Sequence, residues 1–463
     1  MGMRLHRVLL AFAMFLPGCP DRTISAVTPQ QEGEVKKDIP VSADIDILFV
    51  IDNSKSTADK QTVFAANFPK FVQALDAFPT GRPNIHVGVV STTVDIHAQG
   101  FGGCPSPAPN DDGILQNTPR VAGCTPPMGR FLSDIKSSNN TRTTNYSGSL
   151  DSALSCIAQL GPNGCGFEAP LEAMKRALDG SRQENTGFLR DGAFLAVVIL
   201  TDEDDCSIKD PAIFQLPDAQ AGGRSDFRCQ PLFAYRCDTP ISPTTGGSYA
   251  SCTVRTDSYL QDPAVYAQFL STVKPPGKSI VALIAGDPST SIMTGPVPMQ
   301  PLALELEPSC MATINGNFAI GRPAIRLSSF LALFGDHGLF RTVCQSDYSQ
   351  ALTDVGKLLF TAISPCLEGA INLADSDPAN PGLQPDCTVS DVQNPDSGHE
   401  TETLLPRCQM TDPTTPAAGA RPCWWVAPNP ASCATQTNLE LHVERATPPS
   451  TGTSVRVACA TGS

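Results

Sequence analysis

Ile45-Asp46-Ile47-Leu48-Phe49-Val50-Ile51 runs directly into Asp52-Asn53-Ser54-Lys55-Ser56, and the reading of this stretch decides the fold. A run that apolar, broken only by Asp46, reads as a strand buried on both faces, as in a parallel sheet flanked by helices. Its carboxyl end then delivers one carboxylate and two hydroxyls onto a single turn. Open α/β sheets bind ligands at that edge. An all-oxygen set of this kind suits a hard divalent cation such as Mg²⁺. Asp and Ser also crowd ordinary turns, and a helix N-cap without metal fits the same residues.

A second buried run, Phe194-Leu195-Ala196-Val197-Val198-Ile199-Leu200, ends in Thr201-Asp202-Glu203-Asp204-Asp205. Acidic residues in a row repel one another and are costly to hold close without a cation nearby. Asp202 is the candidate ligand here, while Asp204 and Asp205 fit a cation site or a solvated acidic loop equally well. The segment Gly164-Cys165-Gly166-Phe167-Glu168-Ala169-Pro170-Leu171-Glu172-Ala173-Met174 sets Glu168 just before a helix. Glu168 is there either a ligand or a carboxylate facing the helix macrodipole, with Pro170 in the first turn.

Asp52-x-Ser54-x-Ser56 behind one strand and Leu200-Thr201-Asp202 behind another resemble the metal-ion-dependent adhesion site of von Willebrand factor type A domains. Family members usually follow the second Asp with Gly, where this chain has Glu203. Most also present a Thr from the loop before the helix. Integrin β-subunit versions carry instead a turn whose Glu can ligate the metal, and Glu168 with its helix is similar to that version. The resemblance implies a site of Asp52, Ser54, Ser56, Glu168 and Asp202 that holds Mg²⁺, with Ca²⁺ or Mn²⁺ as alternatives. It also implies one coordination position left for an acidic side chain of a protein or other macromolecular partner.

The 463 residues suffice for two domains with sizeable cores. A net charge of −14 argues against nucleic acid, whose phosphates demand a basic footprint. It also argues against docking of the folded surface on anionic lipid. The first residues read as a targeting segment: Arg4 and Arg7 precede the short apolar run Val8 to Leu16. Leu16-Pro17-Gly18-Cys19 resembles the bacterial lipobox, although Pro17 is an uncommon occupant of its middle position. The resemblance makes 1–18 a lipoprotein signal peptide and Cys19 the lipid-bearing N-terminus; a plain secretory signal with an incidental Cys is the alternative. Several acyl chains on one residue give stable anchoring where one would not. The chain is then expected in the cell envelope, lipid-anchored at the outer membrane, periplasmic or surface-exposed.

Seventeen cysteines fit that route, since sixteen remain for pairing once Cys19 is set aside. The absence of any Cys-x-x-Cys removes the usual zinc and redox signatures, and in an exported chain such cysteines form structural disulfides. Connectivity is not deducible, though Cys104 with Cys124 and Cys156 with Cys165 would close short loops.

Residues 19–42 are polar and read as a tether. Phe64, Phe68, Phe71, Leu75 and Phe78 fall at helical spacing, with Pro69 kinking that helix. Further strands are expected at Ile85 to Ser91 and Ser279 to Gly286, and helices at Ser149 to Leu160, Glu168 to Leu178 and Asp262 to Val273. A closing helix carries Leu352, Val355, Leu358, Leu359 and Ile363 on its apolar side. This order predicts an α/β fold, a doubly wound, mostly parallel sheet over 43–364. Insertions near 97–145 and 203–262 read as loops leaving the metal-bearing edge. Residues 365–463 read as a disulfide-rich β appendage, in which Trp424-Trp425 packs on nearby disulfides, with a recognition surface as the alternative.

No nucleophile elbow, phosphate-binding Gly loop or paired histidines are visible. The expected function is therefore membrane-tethered binding or adhesion through a Mg²⁺-dependent site, not catalysis. A metal-dependent hydrolase using the acidic cluster, or a metal-free structural module, are the alternatives.

Overall fold

The two apolar runs that end in Asp52 and Asp202 lie side by side as parallel strands, Ile45 opposite Phe194 and Ile51 opposite Leu200. In the computed structural model the described residues are 33–40, 44–78, 81–96, 104, 111–118, 122–137, 141–221, 228–275, 277–297, 300–314, 316–393, 399–430, 433, 435–447, 449–450 and 453–462. The expected signal peptide and Cys19 lie outside them, as does most of 97–110.

The central sheet has seven strands: β1 (Ile45–Ile51), β2 (Ile85–Ser91), β3 (Leu132–Lys136), β4 (Arg142–Thr144), β5 (Phe194–Leu200), β6 (Ser279–Ala285) and β7 (Gly338–Thr342), in the order β7-β6-β5-β1-β2-β3-β4. β7, β6, β5, β1 and β2 run parallel. β3 and β4 add on antiparallel at one edge. The sheet is thus mixed, and the expected loop at 97–145 contributes these two edge strands. Apolar periodicity could not announce them, because beside Leu132 in the core what holds β3 is a polar cluster: buried Asp134 accepts from Arg142 Nε at 2.5 Å, Arg82 Nη1 at 2.8 Å and the Tyr146 hydroxyl at 2.8 Å.

Among the described residues, seven helices of eight or more residues flank the sheet: α1 (Ala58–Ala66), α2 (Phe68–Asp76), α3 (Leu150–Ala158), α4 (Pro170–Leu178), α5 (Pro263–Val273), α6 (Ile325–Ala332) and α7 (Ser349–Ile363). Alternate residues of β1 serve opposite faces, as the pleat requires. Ile45, Ile47, Phe49 and Ile51 pack with Phe64, Phe68, Leu154 and Val355 of α1, α2, α3 and α7. Leu48 and Val50 pack with Met174, Leu270 and Phe330 of α4, α5 and α6. Phe49 meets Phe64, Phe68 and Phe71 edge-on at 5.9, 5.5 and 5.6 Å between ring centres. Each such buried ring contributes about 1.5–3 kcal/mol. The phenylalanine-rich segment is two helices separated by Asn67, and Pro69 sits in the first turn of the second, where its missing N–H costs nothing. Asp46, the one charge in β1, is fully buried and accepts from the Arg190 backbone N–H and Nε, both at 2.8 Å.

A second, antiparallel sheet orders Glu34–Pro40, Thr453–Ala460, Cys387–Gln393 and Thr401–Leu404. The end of the expected tether is therefore a strand, paired along its length with Thr453–Ala460. Ile39 joins Val389, Trp424, Leu441 and Val457 in a core separate from those of the central sheet. Trp424 is buried there, and Trp425 packs beside Cys408 and Cys423, stacked on His442 at 4.9 Å.

The sixteen cysteines form eight disulfides: 104–165, 124–156, 206–229, 237–252, 310–344, 366–433, 387–459 and 408–423. The two short loops proposed from spacing do not form. Cys104 and Cys124 instead reach across to Cys165 and Cys156, tying the first insertion to the body of the domain. Among the described residues no helix is long and apolar enough to cross a membrane.

Candidate metal centre

Along the chain, the five parallel strands stand in the spatial order second, first, third, fourth, fifth, so connections leave in opposite directions from β1 and β5. A crevice opens outside the carboxyl ends of strands at such a switch point. Asp52 follows β1 and Asp202 follows β5, one residue beyond Thr201. The backbone closes the junction: Asp52 N–H donates to Leu200 O at 2.9 Å, Thr92 N–H to Ile51 O at 3.2 Å and Thr201 N–H to Ile284 O at 3.1 Å.

The oxygens of this junction converge. Asp52 Oδ1 accepts from Ser54 N–H at 2.8 Å, and its Oδ2 accepts from the Thr201 hydroxyl at 3.0 Å. Ser54 Oγ lies 3.1 Å from Ser56 Oγ, which donates to Asp202 Oδ1 at 3.0 Å. Lys60, in the first turn of α1, donates to Asp202 Oδ2 at 2.8 Å and to Ser56 O at 2.9 Å. Asp52, Asp202 and Lys60 are all within 1% of complete burial, whereas Ser56 is exposed and opens the cluster to solvent. Burial, and then the neighbouring Asp202, push the Asp52 carboxyl up to about 7, against the hydrogen bonds from Ser54 and Thr201.

Glu168 comes to the same place on a loop gripped from several sides. Gly164 N–H donates to Asn53 O at 2.6 Å, Ala169 N–H to Thr92 O at 3.1 Å and Cys206 N–H to Glu168 O at 2.7 Å. A Cβ on Gly164 would stand 2.2 Å from Asn53 Oδ1, so only glycine allows this approach. Glu168 is 1% exposed, and its Oε2 is buried without a hydrogen-bond partner. Burial first, then the charges of Glu203, Asp52 and Asp202, hold Glu168 well above the usual carboxylate range. A buried acceptor left unmade is costly, and here the charges of three further carboxylates act on the same group. The Thr92 hydroxyl is a second buried oxygen without a partner. It follows β2, between Ile51 and Ala169 in the backbone bonding, and sequence reading passed over it. Its signal was present in Ser91-Thr92-Thr93 behind a buried strand.

The five expected residues, Asp52, Ser54, Ser56, Glu168 and Asp202, are therefore brought to one edge of the sheet. They form a mixed carboxylate and hydroxyl set, with chemistry that fits a hard divalent cation. Among the described residues, no group of three or more His, Cys, Asp or Glu side chains is placed to hold a metal ion.

Asp204 and Asp205 do something else, and neither is the solvated loop that was one reading of them. Both are fully buried. Asp204 accepts from the N–H groups of Arg326 at 2.8 Å and Leu327 at 3.0 Å, capping α6, and from the Tyr235 hydroxyl at 2.9 Å. Asp205 accepts from Leu171 N–H at 3.2 Å, at the start of α4, and from buried Arg326 Nη2 at 3.0 Å. Two helix N-termini converge on two consecutive carboxylates, so the acidic run is largely an internal anchor. Arg322 pairs with Glu203 at 3.2 Å, and its backbone N–H donates to Asp202 O at 2.8 Å.

Three disulfides tie these segments down: Cys104–Cys165 at the Glu168 loop, Cys206–Cys229 just after the acidic run, and Cys310–Cys344, which joins the strand Cys310–Ile314 to the segment after β7.

The chain matches no family model and no curated protein sequence. Among solved structures, the open conformation of the pilus adhesin SpaC from Lactobacillus rhamnosus GG aligns with 92% of this chain and 40% of its own, at 9% identity and a TM-score of 0.32. The pilus adhesin RrgA from Streptococcus pneumoniae aligns over 92% and 57%, at 10% identity and a TM-score of 0.29. A von Willebrand factor type A protein from Catenulispora acidiphila aligns over 93% and 65%, at 10% identity and a TM-score of 0.26. The chain spans less than two thirds of each of these proteins. TM-scores of this size leave fold and function to be argued from the strand order and the site of this chain alone.

Proposed function

We propose that this chain is an extracytoplasmic binding protein that engages a macromolecular partner through a divalent cation, in the manner of a type A adhesion domain. The single observation that carries the reading is the convergence of Asp52 and Asp202 at the switch point, with the unpartnered, buried Oε2 of Glu168 beside them. Asp52, Ser54, Ser56, Glu168 and Asp202 would hold the ion, Mg²⁺ foremost and Ca²⁺ or Mn²⁺ next. When bound, the cation supplies positive charge to the buried carboxylates and a coordination position for an acidic side chain of the partner. Ser56 is exposed and would present the ion to the partner.

The doubly wound core of 43–364 belongs to this reading, as does tethering to the membrane through lipid on Cys19. Eight disulfides support an oxidising, envelope location. A hydrolase that holds two ions on the acidic run has less support, since Asp204 and Asp205 are already engaged by protein donors.

Calorimetric titration of Mg²⁺ into purified protein, together with melting in Mg²⁺ and in EDTA, tests the proposal. Binding and a rise in Tm that EDTA reverses are expected; a protein that ignores both overturns it. Labelled palmitate should enter the wild type and not Cys19→Ser, and persistent labelling removes the lipid anchor from the reading.

A further inference from the structure

We infer that the Lys60 ammonium is a tethered counter-ion of this site, holding Asp202 in the metal-free protein and withdrawing when a divalent cation enters. The inference rests on the metal reading above and adds a residue that competes with the ion.

Lys60 is 1% exposed, an unusual position for a lysine. Helix geometry does not explain it. The side chain belongs to the first turn of α1, where the positive end of the macrodipole disfavours a cation. What holds it is the 2.8 Å contact to Asp202 Oδ2, supported by Ser56 O at 2.9 Å, with Asp59 at 4.0 Å. The other oxygen of Asp202 already accepts from Ser56 Oγ. Both oxygens of the second proposed ligand are therefore occupied from within the chain, and one of the two donors is itself a cation.

Charge bookkeeping gives the direction. Asp52, Asp202 and Glu168 are buried together, and the ion pairs of the described residues include Lys60 with Asp202 but none to Asp52 or Glu168. One tethered positive charge leaves this group under-compensated, and a divalent cation serves it better. Lys60 and the ion cannot both sit against Asp202, because like charges at contact distance repel strongly in a buried setting. Metal entry must therefore release Lys60, whose four-carbon stem, rooted one turn from the exposed Ser56, is long enough to reach solvent.

The test titrates Mg²⁺ and Mn²⁺ into wild type, Lys60→Gln and Lys60→Met by calorimetry, and melts each protein without metal. Removing the competing charge should tighten binding by at least about tenfold in both variants, equivalent to one step of the usual affinity scale. The metal-free Tm should fall, because Asp202 loses its partner. Wild-type protein supplies an independent reading through amine acetylation followed by peptide mass spectrometry. Lys60 should be protected without metal and acetylated at saturating Mn²⁺; if the variants do not fold, this labelling alone decides. Variants that bind no tighter, or a Lys60 that stays protected while wild type binds metal, overturn the inference and leave the metal reading standing. Absence of binding in all three proteins overturns both.

Discussion

The Ser56 hydroxyl donates to Asp202 Oδ1 across 3.0 Å, joining two loops 146 residues apart in sequence. That bond is possible because β1 and β5 are adjacent and in register, so the turns after Ile51 and Leu200 meet at one height. The shared burial of Asp52 and Asp202 and the closure by Lys60 follow from this adjacency.

Asp52→Ala should abolish the Mg²⁺-dependent rise in Tm and leave the metal-free fold intact. The carboxyl is fully buried and pushed up to about 7, so its charge is a burden without metal. The two hydrogen bonds lost, from Ser54 N–H and the Thr201 hydroxyl, contribute about 0.5–1.5 kcal/mol each. Scanning fluorimetry with and without EDTA checks this, and a variant that still gains stability from Mg²⁺ refutes it.

Glu168→Gln and Glu172→Gln should part company. Glu172 pairs with Arg176 at 2.7 Å and accepts from the Tyr266 hydroxyl at 3.0 Å, so its loss should cost stability and spare metal affinity. Glu168 has a buried oxygen without a partner among like charges, and its neutralisation should weaken metal binding while raising metal-free stability by about 1 kcal/mol, the common trade between site and scaffold. Urea unfolding and calorimetry on both variants decide. Equal metal affinities would make Glu168 a helix-end charge only.

Asp205→Ala should be among the most damaging single changes in the domain. It leaves the guanidinium of Arg326, which is 0% exposed, with carbonyl acceptors but without its carboxylate partner, and uncaps α4 at Leu171. Removing one partner of a buried pair costs about 3–5 kcal/mol. Urea denaturation measures it, and a loss below about 1 kcal/mol would place Asp205 with ordinary surface positions.

Removing the strand Glu34–Pro40 should loosen the second sheet and spare the metal response. The deletion exposes the edge of Thr453–Ala460, takes Ile39 from its core and breaks the Asp38–Arg456 pair at 2.8 Å. Cleavage within 365–463 should accelerate by roughly tenfold or more, since proteolysis tracks local opening. Unchanged cleavage would mean the N-terminal strand is dispensable to that body.

Reduction should expose 203–262 and 365–463 to protease before 44–96 and 167–202 are cut. The first two hold Cys206–Cys229, Cys237–Cys252 and the three C-terminal disulfides. Each crosslink contributes about 2–4 kcal/mol, largely by restricting the unfolded chain. The parallel strands are held instead by burial on both faces. Peptide mapping over a time course gives the order, and early cuts in β1 or β5 would reverse it.

Sequence alone determined the parts whose physics is local. Continuous apolar runs mark strands covered on both faces, and β1, β2, β5 and β6 lie where those runs are. Helical spacing of Leu171, Met174 and Leu178 marks α4 in the same way. The residues that follow two such strands could then be assigned to one sheet edge, which is why Asp52, Ser54, Ser56 and Asp202 were legible. Partnership was not. In a linear reading Asp204 and Asp205 fit a cation site or a solvated loop equally well, yet each is buried beneath a helix start supplied by a distant segment. Lys60 looks like a surface lysine until β5 brings Asp202 to it from 142 residues away. The β3–β4 edge and the disulfide pairing were hidden for the same reason. Periodicity records whether a side chain is buried, whereas the partner that makes burial of a charge tolerable is chosen by how the chain crosses itself, and only the tertiary structure decides that.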